Sequence, residues 1–150
     1  MRSFLGLLAP ISDTQVVGAG NGRNLDGDFK ILTSVDLLPA QVKSAFAAIA
    51  HQSQFEMADP GRDFQVTDVI TQEGLPRRRL IFAGISEKNC FLHYEMGGRG
   101  HSNYVVYFSR GPSGATFMWG ESLTKPASNL TELRLEVYSA HDLPSGNFVF

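Results

Sequence analysis

The chain has 150 residues with a formal charge of -2, and 43% of them are hydrophobic and 19% charged. This composition excludes a disordered protein, and no apolar run approaches the ~18 residues that a membrane helix needs. The charge provides no global positive field for nucleic acid, and the one cysteine, Cys90, excludes an intrachain disulfide. We therefore expect a soluble globular protein without a membrane or nucleic-acid partner.

Residues 1–28 are predicted to form an N-terminal arm and a glycine-rich loop, ahead of a single α+β domain over residues 29–150. Four glycines between residues 18 and 28 indicate the loop. The first residues combine a basic side chain with several apolar ones, as a secretory signal does. However, this run is short, is broken by Pro10 and is followed by Asp13. We therefore expect a cytoplasmic protein, with secretion as the alternative.

The first regular elements are a strand and a helix. Phe29, Ile31 and Val35 alternate with polar residues, which predicts a strand from Phe29 to Val35 with these three side chains on its buried face. A helix over about 39–51 follows, because Pro39 suits a first helical turn. Its apolar residues recur at helical spacing and comprise Val42, Ala45, Phe46 and Ile49.

Short apolar runs separated by turn residues then predict strands near 64–71, 78–86, 90–96, 103–109 and 115–121. Because their connections are short, neighbouring strands should be antiparallel. A C-terminal helix is predicted over about 129–139, capped by Ser128, although Leu133, Leu135 and Val137 also alternate as a strand would. The predicted fold is α+β: an antiparallel sheet of five to seven strands, one packed amphipathic helix and a short C-terminal helix.

Several predicted strands are apolar on both faces, as where Phe82 opposes Ile81 and Ala83. The second face of the sheet must therefore be covered. The chain's own ends, a partner subunit or closure of the sheet around a cavity can each provide this cover.

The strand at 90–96 carries the densest polar cluster. Alternation places Cys90, Leu92 and the later even-numbered residues on one face, and His93 and Glu95 on the other. We predict a site centred on His93 and Glu95. The candidate catalytic residues are His93, Glu95, Asp68 and Glu121, and the candidate ligand-binding residues are Arg99, His101 and Trp119.

Two chemical interpretations of this site stay open. His93, Glu95 and His101 offer imidazole and carboxylate ligands of the kind that zinc or iron accepts, but they lack the spacing of short zinc motifs. Without a metal, His93 can act as a general base oriented by a carboxylate, or as an acid paired with Glu121. A solvated His–Glu pair on a surface hairpin is the simpler explanation. The sequence predicts neither a bound metal nor a cofactor.

Three consecutive arginines, Arg77 to Arg79, begin the strand near 78–86. Alternation separates Arg78 from its two neighbours, so the run is not one three-pronged patch. Together with Arg99 and Arg110, some of these guanidinium groups can clamp a phosphate or a carboxylate. A solvated or ion-paired strand end is the alternative.

The leading functional hypothesis is a noncatalytic binding or interaction protein that uses an apolar sheet face or pocket. Its partner would be an unidentified small molecule or protein, and a homo-oligomer is a further expectation. The alternative is a small hydrolase, isomerase or metal-dependent enzyme with a site centred on His93 and Glu95.

Overall fold

In the computed structural model of the chain, residues 23–67, 69, 73–98 and 100–140 are described. Their strands are β1 (Lys30–Leu32), β2 (Arg78–Ile85), β3 (Asn89–Met96), β4 (Ser102–Gly111) and β5 (Gly114–Leu123). Their helices are α1 (Ala40–Ile49), α2 (Leu130–Ala140) and a 3-10 turn at Val35–Leu37. Neither α1 nor α2 has the length and apolar character that a membrane-spanning helix needs.

The strands form one antiparallel sheet in the order β1-β2-β3-β4-β5, so each strand pairs with the next along the chain. Short turns, such as the one between Gly111 and Gly114, connect the strands from β2 to β5, whereas the connection from β1 to β2 contains α1. The α+β fold with one packed helix and one C-terminal helix is thus confirmed, with five strands.

Helix α1 covers one face of the sheet, which we call the α1 face. Val42 and Phe46 of the predicted apolar stripe are fully buried against β4 and β5. The Phe46 ring meets the Tyr94 ring edge-on, with centroids 5.2 Å apart. Cys90 and Leu92 lie in the same core, so β3 presents its even-numbered side chains to α1.

The opposite face, which we call the α2 face, is covered by the chain itself. Leu133 and Val137 of α2 pack there, together with Leu25 from the segment before β1. Arg134 holds this segment to α2, because its Nε donates to the Leu25 carbonyl at 2.9 Å. The described part of the predicted N-terminal arm therefore belongs to the folded core.

Two predicted strands are wrong in part. Val35 begins the 3-10 turn, which Ser34 caps through its hydroxyl, so the first strand is only three residues long. Its buried residue is Leu32, whereas Ile31 is exposed. The predicted strand near 64–71 is absent from its described residues, where Thr67 makes only an isolated bridge with Gly98.

The C-terminal helix begins one residue later than predicted. Its N-cap is Asn129, whose Oδ1 accepts from the Glu132 amide at 2.9 Å. Ser128, the predicted cap, instead donates its amide and hydroxyl hydrogens to the Glu132 carboxylate. Both contacts satisfy polar groups at the helix start.

Candidate functional site

The α2 face arranges its side chains in rows across the sheet. Strand pairing aligns Phe82, His93, Val105 and Glu121 in one row. His93 and Glu121 therefore share a face, as the alternation predicted. Strand β4 lies between them, and two strand spacings of about 4.8 Å each separate their backbones. The predicted pairing of His93 with Glu121 is thus across a strand and not between neighbours.

His93 is fully buried, and backbone groups bind both of its ring nitrogens. The Ala127 amide donates to Nε2 at 2.9 Å. Nε2 must therefore carry a lone pair, and Nδ1 carries the proton, which it donates to the Tyr104 carbonyl oxygen at 2.9 Å. Desolvation lowers the pKa of His93, and the Tyr104 carbonyl, which accepts from the ring, partly opposes this effect. The neutral imidazole ties β3 and β4 to the loop before α2, and neither nitrogen remains for a substrate.

Glu95 contacts two other side chains. Arg79 Nε donates to one carboxylate oxygen at 2.9 Å, and His101 Nε2 lies 2.7 Å from the other. The Arg79 guanidinium also lies over the Phe64 ring, 4.4 Å from its centroid. Glu95 thus orients His101, whose side chain is 44% exposed, whereas backbone groups bind both ring nitrogens of His93.

The remaining predicted residues do not join this cluster. Glu121 is buried in an ion pair with Arg23. The Trp119 ring stacks on the Tyr107 ring with centroids 5.2 Å apart and is part of the packing beneath α2. Asp68 and Arg99 lie outside the described residues, so their roles stay predictions.

The suggested metal ligands do not converge. Within residues 23–67, 69, 73–98 and 100–140, no three histidine, cysteine, aspartate or glutamate side chains form a group that can hold a metal ion. The physical reason is visible at His93 and Glu95, because one is bound at both nitrogens by backbone and the other faces Arg79 and His101.

A cleft that the sequence analysis did not predict lies at the end of α1. It has a volume of about 490 Å³. It is lined by Ala50, His51, Gln52, Ser53, Gln54, Glu56, Arg77, Arg78 and Met96. We call it the Arg78 cleft. Its walls are the loop after α1, the start of β2 and the end of β3.

The loop wall of the cleft is held by backbone and side-chain hydrogen bonds. Helix α1 ends with His51 in the left-handed region, at φ 56°, and the Gln52 amide donates back to the Ala47 carbonyl at 2.8 Å. The Gln52 side chain then binds both backbone groups of Glu56, donating to its carbonyl oxygen and accepting from its amide. Hydrogen bonds within the protein therefore fix this wall of the cleft.

Arg78 forms the buried part of the cleft. Its guanidinium carbon lies 5.9 Å from the centroid of the Phe46 ring, on the α1 face, and the residue is 8% exposed. Desolvation lowers its pKa, which the neighbouring Tyr94 partly opposes. Arg77 is exposed at the rim, and its Nη2 donates to the Gly97 carbonyl at 3.4 Å.

Strand alternation separates Arg78 from Arg79 as predicted, but Arg77, which was predicted to lie on the side of Arg79, lines the same cleft as Arg78. Arg78 faces α1, whereas Arg79 faces Glu95 on the opposite side. Arg110 lies at the other end of the sheet, where it donates to the Ser86 carbonyl at 2.6 Å, so it takes no part in the cleft. The sequence signal for the cleft was the Arg77–Arg78 pair. What was missing was the helix end, because a left-handed histidine has no recognisable sequence pattern.

A second cavity, of about 330 Å³, lies between residues 23–26 and α2, and both apolar side chains such as Leu135 and polar ones such as Arg134 line it. It lacks the buried arginine of the Arg78 cleft.

No known protein family, curated protein or solved structure matches this chain. Function therefore has to be argued from these local geometries.

Proposed function

We propose that this chain is a noncatalytic binding protein that holds a small molecule in the Arg78 cleft. The observation that carries the proposal is a concave space of about 490 Å³ with a buried arginine in its wall. Small-molecule sites fall at about 300–1,000 Å³ and combine apolar surface with a few polar groups. The cleft has a volume in this range, and its lining is mostly polar, with Ala50 and Met96 as its apolar residues.

The candidate catalytic groups His93 and Glu121 are bound by other groups of the protein, which supports a binding function over catalysis at His93. A general base needs a nitrogen within hydrogen-bond reach of the substrate proton. Both nitrogens of His93 bind the backbone, and burial disfavours its charged form. The buried carboxylate of Glu121 pairs with Arg23. These groups stabilise the packing of the α2 face.

The rigid frame of the cleft also supports binding. Hydrogen bonds fix the end of α1 and the Gln52–Glu56 loop before any ligand arrives. A preformed site loses less conformational entropy on binding than a site that must be ordered. We therefore expect the backbone around His51 to move little when a ligand binds.

Binding can be tested by screening a library of small fragments against the ¹⁵N-labelled protein. Ligand-induced amide shifts should cluster at residues 50–56 and 77–78. Ser53 is exposed on the loop wall, so Ser53→Trp should block the cleft and Ser53→Ala should leave it open. Binding lost in the tryptophan variant and kept in the alanine variant supports the proposal. Fragments that shift only other residues, or bind both variants equally, contradict it.

A small hydrolase or isomerase is the second candidate function, with His101 as its base. The favouring observation is the Glu95–His101 contact of 2.7 Å, in which a carboxylate orients an imidazole that is open to solvent. A panel of activated ester and phosphoester substrates tests it. His101→Gln should then abolish turnover that His51→Gln retains. Equal turnover in both variants, or none in the parent protein, argues against the enzyme.

A further inference from the structure

We infer that the ligand of the Arg78 cleft is a small organic oxyanion, a carboxylate or a phosphate ester, bound through the Arg78 guanidinium. This inference rests on the proposed function and names its ligand class. It is supported by the placement of Arg78, by the charges that line the cleft and by the conformation of His51.

The placement of Arg78 favours an anion. Its guanidinium is nearly buried beside the Phe46 and Tyr94 rings while the residue still lines an open cavity. An anion bound at this guanidinium would make charge-assisted hydrogen bonds, which are stronger than neutral ones. The planar fork of arginine matches two oxygens of a carboxylate or a phosphate.

The charges around the cleft agree with this ligand class. Arg77 and Arg78 are cationic, and Glu56 is the one carboxylate in its lining. His51 adds an imidazole at the rim. Because Arg77 is exposed and Arg78 is buried, the two cations lie at different depths. We therefore expect Arg78 to bind the anion directly and Arg77 to contribute mainly through its field.

The backbone conformation of His51 is an independent observation at the same place. Among the described residues, His51 is the one non-glycine residue with a positive φ. A glycine would adopt this conformation without the steric cost that an L side chain incurs. Residues held in such conformations cluster at ligand sites. Because His51 also lines the cleft, we expect its imidazole to donate a hydrogen bond to a bound oxyanion.

The experiment compares matched probes. The probes form three pairs: acetate and acetamide, benzoate and benzamide, and phenyl phosphate and phenol. The two members of each pair have the same methyl or phenyl group and differ in charge. Titrations followed by ¹⁵N shifts, including the Arg78 Nε–H signal, should show at least one anion binding about tenfold tighter than its neutral partner. Preference for benzoate or for phenyl phosphate distinguishes a carboxylate ligand from a phosphate ligand. Inorganic phosphate reports whether the oxyanion alone is sufficient.

Three variants locate the interaction. Arg78→Lys keeps the charge but removes the planar fork, and should weaken anion binding about tenfold. Arg77→Gln should weaken it less and leave the folded core intact, because Arg77 is exposed. Arg62→Gln makes the same charge change at an exposed site outside the cleft and should have no effect. If Arg78→Lys does not fold, Arg77→Gln and the Nε–H signal of the parent protein still decide.

The outcomes distinguish a failure of the inferred ligand class from a failure of the proposed binding function. Neutral probes that bind in the cleft as tightly as their anions overturn this inference but leave the proposed binding function intact. If no probe and no library fragment shifts the amide signals of residues 50–56 or 77–78, both the inference and the proposed function are overturned. Anion binding that Arg62→Gln weakens as much as Arg77→Gln does shows a nonspecific charge effect and also overturns the inference.

Discussion

Lowering the pH from about 7.5 to about 5.5 should reduce the contribution of His93 to the free energy of unfolding by up to about 1.4 kcal/mol. The folded imidazole is neutral, because the Ala127 amide donates to Nε2 and burial lowers the pKa of the ring. In the unfolded chain the same ring has the ordinary pKa of about 6.5. Protons therefore bind the unfolded state first as the pH falls.

The magnitude follows from linkage. Above a pH of about 6.5 both states are neutral at His93, and its contribution is fully present. Below this value the unfolded chain gains one proton that the folded chain does not bind, so stability falls by up to about 1.4 kcal/mol per pH unit. Over the two units stated, partial protonation of the unfolded ring gives a total of about 1.4 kcal/mol. This is the upper limit, reached when the folded ring stays neutral throughout.

The assay is urea unfolding at both pH values for the parent protein and His93→Gln. The substitution removes the titrating ring and leaves the Ala127 amide and the Tyr104 carbonyl without it, at a cost of about 1–3 kcal/mol. The stability gap between the two proteins should therefore shrink at the lower pH, by up to about 1.4 kcal/mol. His51→Gln and His101→Gln, which replace exposed imidazoles, are the matched controls.

A stability gap that is equal at both pH values would refute this account of His93. It would mean that the folded ring accepts a proton as readily as the unfolded one. Proton NMR provides a second measurement, since the His93 ring signals should titrate at a lower pH than the value of about 6.5 of an ordinary imidazole. If His93→Gln fails to fold, these signals still test the prediction in the parent protein.

Three further predictions concern the core, the thiol and the second helix. Gly84→Ala should destabilise the protein by about 1–3 kcal/mol, because its Cβ would lie 2.1 Å from the buried Phe91 ring. Gly111→Ala is the control, because the nearest atom to its Cβ would be 4.0 Å away, and it should change the stability measured by urea unfolding by less than about 0.5 kcal/mol. Equal effects of the two substitutions would contradict the packing around Gly84. Cys90, whose pKa burial raises to about 12, should resist a thiol reagent until the chain unfolds, and rapid labelling of the folded protein would show that the thiol is accessible. Asn129→Ala should cost about 1 kcal/mol by removing the cap of α2, and an unchanged unfolding midpoint would show that the cap contributes nothing.

Local periodicity was sufficient to predict most of the fold. The spacing of Val42 and Phe46 predicts α1, and short turns predict the antiparallel neighbours. The strand at 64–71 failed because apolar alternation measures only local pattern, whereas a strand also needs a partner for its backbone groups. Val66 is exposed despite fitting that pattern. Ile31, which was predicted to be buried, is exposed and Leu32 is buried, because the phase of a three-residue strand is set by its pairing with β2.

The site was less predictable than the fold. Alternation correctly placed His93 opposite Cys90, but it did not show that the Ala127 amide and the Tyr104 carbonyl would engage the ring. Ala127 is 34 residues from His93 along the chain, and such a contact depends on tertiary folding. The Arg78 cleft escaped prediction for the same reason, because it forms only where the end of α1 meets the start of β2.

The cover of the α2 face also determines the order in which this protein should fold. The hairpins of the sheet join neighbouring segments, whereas the Arg134–Leu25 contact spans 109 residues. Because closing a long loop costs entropy before its contacts form, we expect the hairpins to assemble before this cover. During that interval Phe82, Phe91 and Trp119 face water, and two refolding chains can associate through them. The refolding yield should therefore fall as the protein concentration rises, and slower docking of α2 should make the loss greater.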